Sequence, residues 1–312
     1  MPDSNSTDQF AVERKVFLDY SQAELDRNYD QQASAPNAAT VIGGYSARSE
    51  EVRRTCKHAT HAYGSHTDEV LDFFPASAAD APTLIFVHGG AWRNGTKNDY
   101  SFVAQEFVRA GIHCIVLNFS KLPAARLPAV AAQLQRALIW IVGNQAVLGI
   151  DPGKLYLCGH SSGAHLSATL IVTDWTKLGF ASHPIKGATL ISGAYDLKPV
   201  LLSARRSYVL LDENEEEALS PIRHVRPRLP SILVAYAEND TAEFRRHSVE
   251  LAAALQPLGC LARVACFDGL NHFEIMAALG QPQHALPRMV AEHVWATCGI
   301  KKSNWLTLDQ VI

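Results

Sequence analysis

Nowhere in the 312 residues do about eighteen apolar side chains run uninterrupted, so no segment reads as a membrane span. Charge of one sign is scarce as well. The chain has 28 Lys and Arg against 31 Asp and Glu, a net charge of −3, which gives no global electrostatic case for nucleic acid or an anionic membrane as partner. The first nine residues are polar and mildly acidic and lack the basic-then-apolar pattern of an export signal. The six cysteines (Cys56, Cys114, Cys158, Cys260, Cys266, Cys298) show no C-x-x-C spacing. Cys114, Cys158 and Cys266 lie in or beside apolar runs, where a free cysteine behaves as a small buried hydrophobe. A reduced, cytoplasmic protein is therefore expected. H-E-x-x-H, G-x-G-x-x-G and Walker-type loops are also missing, so neither a zinc hydrolase nor a nucleotide enzyme is signalled. His58, His61 and His66 cluster without acidic residues at ligand spacing and read as a surface coincidence. No metal and no cofactor are expected.

The composition that remains, 47% hydrophobic and 19% charged, suits a well-buried globular core. From Thr83 onward the chain alternates short β-prone apolar runs with helical stretches. Strands are expected at Thr83–Val87, His113–Phe119, Leu155–Cys158, Lys186–Ser192, Ile232–Tyr236 and Ala262–Phe267, after two shorter ones at His61–His66 and Glu69–Phe74. Helices are expected near 98–110 and over Pro128–Asn144, Ser162–Asp174, Ala242–Leu255 and Pro282–Thr297. Strands alternating with helices imply a mainly parallel sheet covered on both faces.

Upstream, Ser21 with Glu24 three residues on reads as a capping box opening a helix. Ala33–Tyr45 reads as loose and Ser46–Cys56 as a charged, solvated helix. Residues 1–15 read as disordered. Residues 16–312 then form one α/β domain. Residues 197–230, too long for a tight connection, fold with the N-terminal segment into a small cap over one end of the sheet.

Ligands bind at the carboxyl ends of strands in such sheets, and there the polar residues gather: His88, Ser161, Asp196, Asp240 and His272. Gly159-His160-Ser161-Ser162-Gly163 sits between a strand and a helix, the context of a nucleophile elbow. The chain order Ser, Asp, His is the one an α/β-hydrolase sheet produces. Serine needs a base, and the base an orienting acid. Ser161, His272 and Asp240 are the candidates for these roles. Glu238 and Asp196 are alternative acids. His247, His284 and His293 fall in expected helices, and His160 and His165 beside the elbow read as packing residues. The oxyanion would be met by the backbone N–H of Ser162 and by an amide of the His88–Ala91 loop, Gly90 first and Ala91 second. His88, Gly89 and Trp92 are candidates to contact substrate, and Trp92 could equally wedge the loop in place.

Together these motifs resemble one family. His88-Gly89-Gly90-Ala91-Trp92 resembles the H-G-G-x-W signature of the kynurenine formamidases (arylformamidases), and Gly159–Leu166 resembles their elbow. Ser192-Gly193-Ala194-Tyr195-Asp196-Leu197-Lys198-Pro199 is similar to their S-G-x-Y-D-L-x-P segment. Asp240–Phe244 and Asn271–Phe273 resemble the stretches carrying the family's acid and base, and Leu25–Tyr29 its opening helix. The resemblance implies an α/β-hydrolase fold and a cofactor-free serine hydrolase that converts N-formyl-L-kynurenine to L-kynurenine and formate through a formyl-enzyme. Segments 120–128 and 200–228 depart from the pattern and should form the pocket wall. This leaves a carboxylesterase or an aryl-acylamidase acting on small aryl esters and anilides, such as N-acylanthranilates, as the rival reading. A non-catalytic binding protein on the same fold is a third. Arg205, Arg206 and Arg223 are candidates to meet an anionic substrate. The partner is a small aryl amide or ester; the oligomeric state is open, with a homodimer among the options.

Overall fold

The computed structural model describes residues 14–78 and 80–299. The disorder expected over residues 1–15 falls largely outside them. Lys15 itself opens a short hairpin, β1 (Lys15–Phe17) with β2 (Tyr20–Ser21). The capping box is present: the Ser21 hydroxyl accepts from the Glu24 amide, and the Glu24 carboxylate accepts from the Ser21 amide, at the head of helix Gln22–Asn28.

Eight further strands form one sheet: β3 (Ala59–Ala62), β4 (Val70–Phe74), β5 (Thr83–Val87), β6 (His113–Leu117), β7 (Leu155–His160), β8 (Ile185–Ile191), β9 (Ser231–Ala237) and β10 (Leu261–Phe267). Their spatial order is β10-β9-β8-β7-β5-β6-β4-β3. Only the β3–β4 and β4–β6 pairs are antiparallel. The chain runs from β5 to β6 on one side and then crosses to β7 on the other, so the strand order reverses at β5. The loops leaving β5 and β7 therefore emerge side by side, where open α/β sheets bind ligands.

Period-two alternation divides the strands between two cores. On one face Ile85 and Val87 join Ile115, Leu117, Leu155 and Leu157 beneath helices Leu127–Gly143, Ser162–Val172 and Ala242–Leu255. On the other, Leu84 and Phe86 join Cys114, Val116, Tyr156 and Cys158 beneath helices Ala38–Thr55, Ala104–Arg109 and Ala285–Thr297. β10 is one of the two edges of the sheet, and this corrects one expectation. Cys114 and Cys158 are buried, but Cys266 is exposed, because an edge strand has a neighbour on one side only.

Two helical expectations are also corrected. The stretch read as loose, Ala33–Tyr45, lies mostly within the helix Ala38–Thr55. That helix is not merely solvated. The Tyr45 hydroxyl donates to the Phe273 carbonyl at 2.5 Å, Ser49 to the Asp99 carbonyl at 2.8 Å, and Arg53 pairs with the buried Asp72. Segment 197–230 forms short turns and helices, Lys198–Leu202, Ala204–Ser207, Glu213–Ala218 and Pro221–His224. It is tied to the N-terminal helix where Gln22 donates to the Leu202 carbonyl and the Ala204 amide to Asp26. No helix among the described residues is long and apolar enough to cross a membrane.

Candidate active site

Ser161 sits where β7 turns into helix Ser162–Val172, with φ 55° and ψ −123°. A left-handed φ is uncommon for a residue with a side chain and is tolerated where the surroundings enforce it. Here the Ser161 amide is fixed to the Ile191 carbonyl at 2.8 Å. The flanking Gly163 permits the close approach: a Cβ there would run into the Val87 and His88 carbonyls of the neighbouring strand end.

Three strand ends converge on this serine. His272, in the loop after β10, lies with Nε2 2.8 Å from Ser161 Oγ and Nδ1 2.6 Å from Asp240 Oδ1. Asp240 follows β9 and accepts two more bonds on Oδ2, from the Ser192 hydroxyl at 2.6 Å and the Ala237 amide at 2.9 Å. Burial disfavours its charge, but the His272 ring and these donors outweigh that and hold the carboxyl below its ordinary value. An ionised Asp240 takes the Nδ1–H of His272, which leaves Nε2 free to accept the Ser161 hydroxyl proton. The alternative acids are engaged elsewhere: Asp196 pairs with Arg223 at 2.6 Å and Glu238 accepts from the Gly269 amide at 2.7 Å. Ser192 is a site residue that sequence reading missed, although it begins the S-G-x-Y-D segment.

The loop after β5 carries successive positive φ angles at Gly90 (115°), Ala91 (54°) and Trp92 (60°). At Gly90 a Cβ would strike the Asn94 carbonyl. The amides of Gly90, Ala91 and Ser162 meet no acceptor among the described residues, whereas the Trp92 amide donates to Ser162 Oγ at 3.1 Å. Ser162 thus joins the loop to the elbow through its hydroxyl.

The expected substrate contacts of this loop are corrected. A cavity of about 1010 Å³ is lined by Gly90, Ala91, Ser161 and His272 but not by His88, Gly89 or Trp92. The His88 ring is buried between Tyr100 and Phe119, with centroids 5.1 and 4.4 Å away. Gly89 faces the His160 ring and backbone. Trp92 is 1% exposed, and its indole N–H donates to His165 Nδ1 at 3.2 Å. Trp92 therefore wedges the loop. His165 Nε2 in turn donates to the Leu219 carbonyl at 2.8 Å, reaching the cap. His160, which lines the cavity, donates from Nε2 to the His272 carbonyl at 2.9 Å. Burial pushes its pKa down to about 3, so the ring stays neutral and spans elbow and histidine loop.

The walls differ from expectation too. Segment 120–128 contributes none of the cavity lining; 204–208 does, together with residues 26–32 and with Ile42, Tyr45 and Ser46 of helix Ala38–Thr55. Of the three candidate arginines only Arg205 faces the cavity. Arg223 is neutralised by Asp196, Glu216 and Glu217.

Residues 71–183 match the BD-FAE family. Over 239 residues, 74% of this chain and 80% of the relative, the sequence is 32% identical to a kynurenine formamidase of Danio rerio. It is 25% identical to an isoprenylcysteine alpha-carbonyl methylesterase of Arabidopsis thaliana, over 73% of this chain and 58% of that protein. Among solved structures, esterase LipW from Mycobacterium marinum superposes with a TM-score of 0.67 at 20% identity, covering 85% of this chain and 90% of that one. The fold is that of the α/β-hydrolases, and the chain is a hydrolase of the formamidase and esterase type.

Proposed function

The chain belongs to the kynurenine formamidase family, and we propose on that premise that it hydrolyses an aryl formamide, N-formyl-L-kynurenine, to L-kynurenine and formate. The observation that carries this reading is the unbroken chain of short hydrogen bonds from Ser161 through His272 to Asp240 on the floor of the cavity.

Ser161 Oγ attacks the formyl carbon while its proton passes to His272 Nε2. Asp240 stabilises the imidazolium that forms. The carbonyl oxygen becomes an oxyanion, and the unused amides of Gly90 or Ala91 and of Ser162 are the donors available to it. His272 then gives its proton to the departing nitrogen, the C–N bond breaks, and formyl-Ser161 remains. A water, deprotonated by His272, attacks the formyl ester; formate leaves and the proton returns to Ser161. An aryl amine is weakly basic and leaves more readily than an alkyl amine.

Ser161→Ala should abolish turnover of N-formyl-L-kynurenine and of p-nitrophenyl acetate alike, a loss of about 10⁴-fold or more in kcat; retained activity would rule Ser161 out as nucleophile. The esterase reading is supported by the methylesterase likeness and by a cavity far larger than a formyl group. A kcat/KM preference for short aryl esters over formamides by several orders of magnitude would favour it.

A further inference from the structure

We propose that Arg205 is the receptor for a carboxylate carried by the aryl substrate, so that this hydrolase selects anionic aryl substrates over neutral ones. The idea rests on the hydrolase reading of the same cavity. It adds which end of the substrate the cap holds.

Arg205 lies in the turn Ala204–Ser207 and lines the cavity that also exposes Ser161 and His272. Its Nε and Nη2 donate to the Tyr29 carbonyl at 3.0 and 2.7 Å, and Nη2 also donates to Gln31 Oε1 at 2.6 Å. Three aromatic rings surround the guanidinium, Tyr29, Phe244 and Trp92, with centroids 5.6, 5.7 and 5.9 Å away. Every one of these partners is uncharged. Among the described residues no carboxylate pairs with Arg205, and its Nη1 has no acceptor.

That sets Arg205 apart from the partly buried Arg246, which holds Glu243 and Glu250, and Arg53, which holds Asp72. Arg48 also meets only carbonyls and a ring, but it does not line the cavity, and Arg27 and Arg93, which do, are exposed. Withdrawing a cation from water without a counter-charge is costly. The cost is met if an anion arrives with the substrate. A guanidinium pinned through Nε and Nη2 keeps its free Nη1 oriented for a carboxylate, with little left to order on binding. The acids sharing the cavity are otherwise occupied: Asp26 by Gln22 and the Ala204 amide, Asp99 by Thr96 and Ser46, and Asp30 by the Ala33 amide. Arg205 is also close to the chemistry. Phe244, one of its rings, packs edge-on against His272 with centroids 4.9 Å apart, and Trp92, another, binds Ser162 through its amide. N-formyl-L-kynurenine carries its α-carboxylate at the end remote from the formyl group, the arrangement a cap-borne anion receptor suits.

The test compares para-acetoxyphenylbutanoate with its carboxamide. The two share one aryl ester and differ only in the remote charge. Wild type should favour the carboxylate in kcat/KM, and Arg205→Gln should lower the carboxylate-to-carboxamide ratio by about tenfold to a hundredfold, mainly through KM. Arg205→Lys should restore part of that ratio. An equal fall for both substrates would mean that Arg205 only straps Tyr29 and Gln31 in place, and would overturn the proposal. If the variants fail to fold, competitive inhibition of wild type by phenylbutanoate and phenylbutanamide decides. A carboxylate preference of about tenfold is expected, and equal inhibition would overturn the assignment. Because the probes are esters, failure to cleave N-formyl-L-kynurenine would sink the formamidase reading without touching this one.

Discussion

The floor and the roof of the cavity are built by opposite means. The floor hangs on the carboxyl ends of β5, β7, β8, β9 and β10, and its side chains are fixed by several bonds each: Asp240 by His272, Ser192 and Ala237, and the Gly90–Trp92 loop by Ser162 and His165. The roof is assembled from residues 26–32 and 204–208, segments with no sheet beneath them, joined by Arg205 to Tyr29 and by Ala204 to Asp26. A reaction needs atoms held to fractions of an ångström, which packed strands supply. Choice of substrate needs only the right charge and shape, which cap segments can vary without disturbing the chemistry.

That division makes the floor the place where a small change costs most. Asp240→Asn keeps the volume but offers His272 an amide, which favours the wrong ring tautomer. A kcat loss of about 10⁴ is expected, on formamide and ester alike, with KM little changed. A loss of less than about tenfold would mean that Ser192 or another group orients His272. Next in size is Gly90→Ala. The added Cβ meets the Asn94 carbonyl at a φ of 115°, so the loop must shift and its free amides with it. About 10²- to 10³-fold in kcat should go, and because the atom struck is backbone and φ is positive, the variant should also melt below wild type. An unchanged kcat would remove Gly90 and Ala91 from oxyanion binding and leave Ser162 as the remaining expected donor.

The same division explains what the sequence disclosed. Floor residues were legible because each follows a β-prone run, buried in β7 and β9 though not in the edge strand β10, and because the steric demands of the elbow leave glycine at 159 and 163. Ser192 was not singled out, since a lone serine at a strand end has no spacing signature. Helix Ala38–Thr55 was half missed. Thr40-Val41-Ile42 are β-branched and Gly43-Gly44 adjoin them, all poor helix formers, and it is tertiary bonds from Tyr45, Ser49 and Arg53 that hold the helix. Roof residues had no periodicity to read. Tyr29, Arg205 and Gln31 meet across more than 170 positions of sequence, and only the folded chain brings them together.

The floor should also be the acid-labile half. His88, His160 and His165 are buried and neutral; desolvation pushes the first and last down to about 4 and His160 to about 3. In the unfolded chain each binds a proton near pH 6.5, roughly its ordinary value. Folded values below unfolded ones mean that their contribution is complete above about pH 6.5 and is lost as pH falls toward the folded values. The loss is about 1.4 kcal/mol per pH unit for each. Asp240, also depressed, acts only below about pH 4. Urea titrations at about pH 6 and pH 5 should therefore show unfolding linked to three or more protons. His88→Phe, which keeps the stack with Tyr100 and Phe119, should remove about one of them. A pH-independent unfolding free energy would contradict the buried, neutral state of these rings.

The smallest effect is expected where roof meets floor. The Tyr195 amide donates to His247 Nδ1 at 3.3 Å, which leaves His247 Nε2–H to donate to the Tyr29 oxygen at 2.9 Å, and the Tyr29 hydroxyl to donate to Glu243 at 3.2 Å. Burial and the neighbouring Glu243 charge hold the Tyr29 phenol well above its ordinary range, so it remains a neutral donor. Tyr29→Phe keeps the ring against Phe244 but strands the buried His247 N–H; Glu243 keeps Arg246. About 1–3 kcal/mol of stability should be lost. Because the Tyr29 carbonyl also holds Arg205, KM for an anionic substrate should rise a few-fold while kcat stays near wild type. A fall in kcat at unchanged KM would mean that the Tyr29–His247–Glu243 chain acts on Asp240 and the reacting groups rather than on the cap.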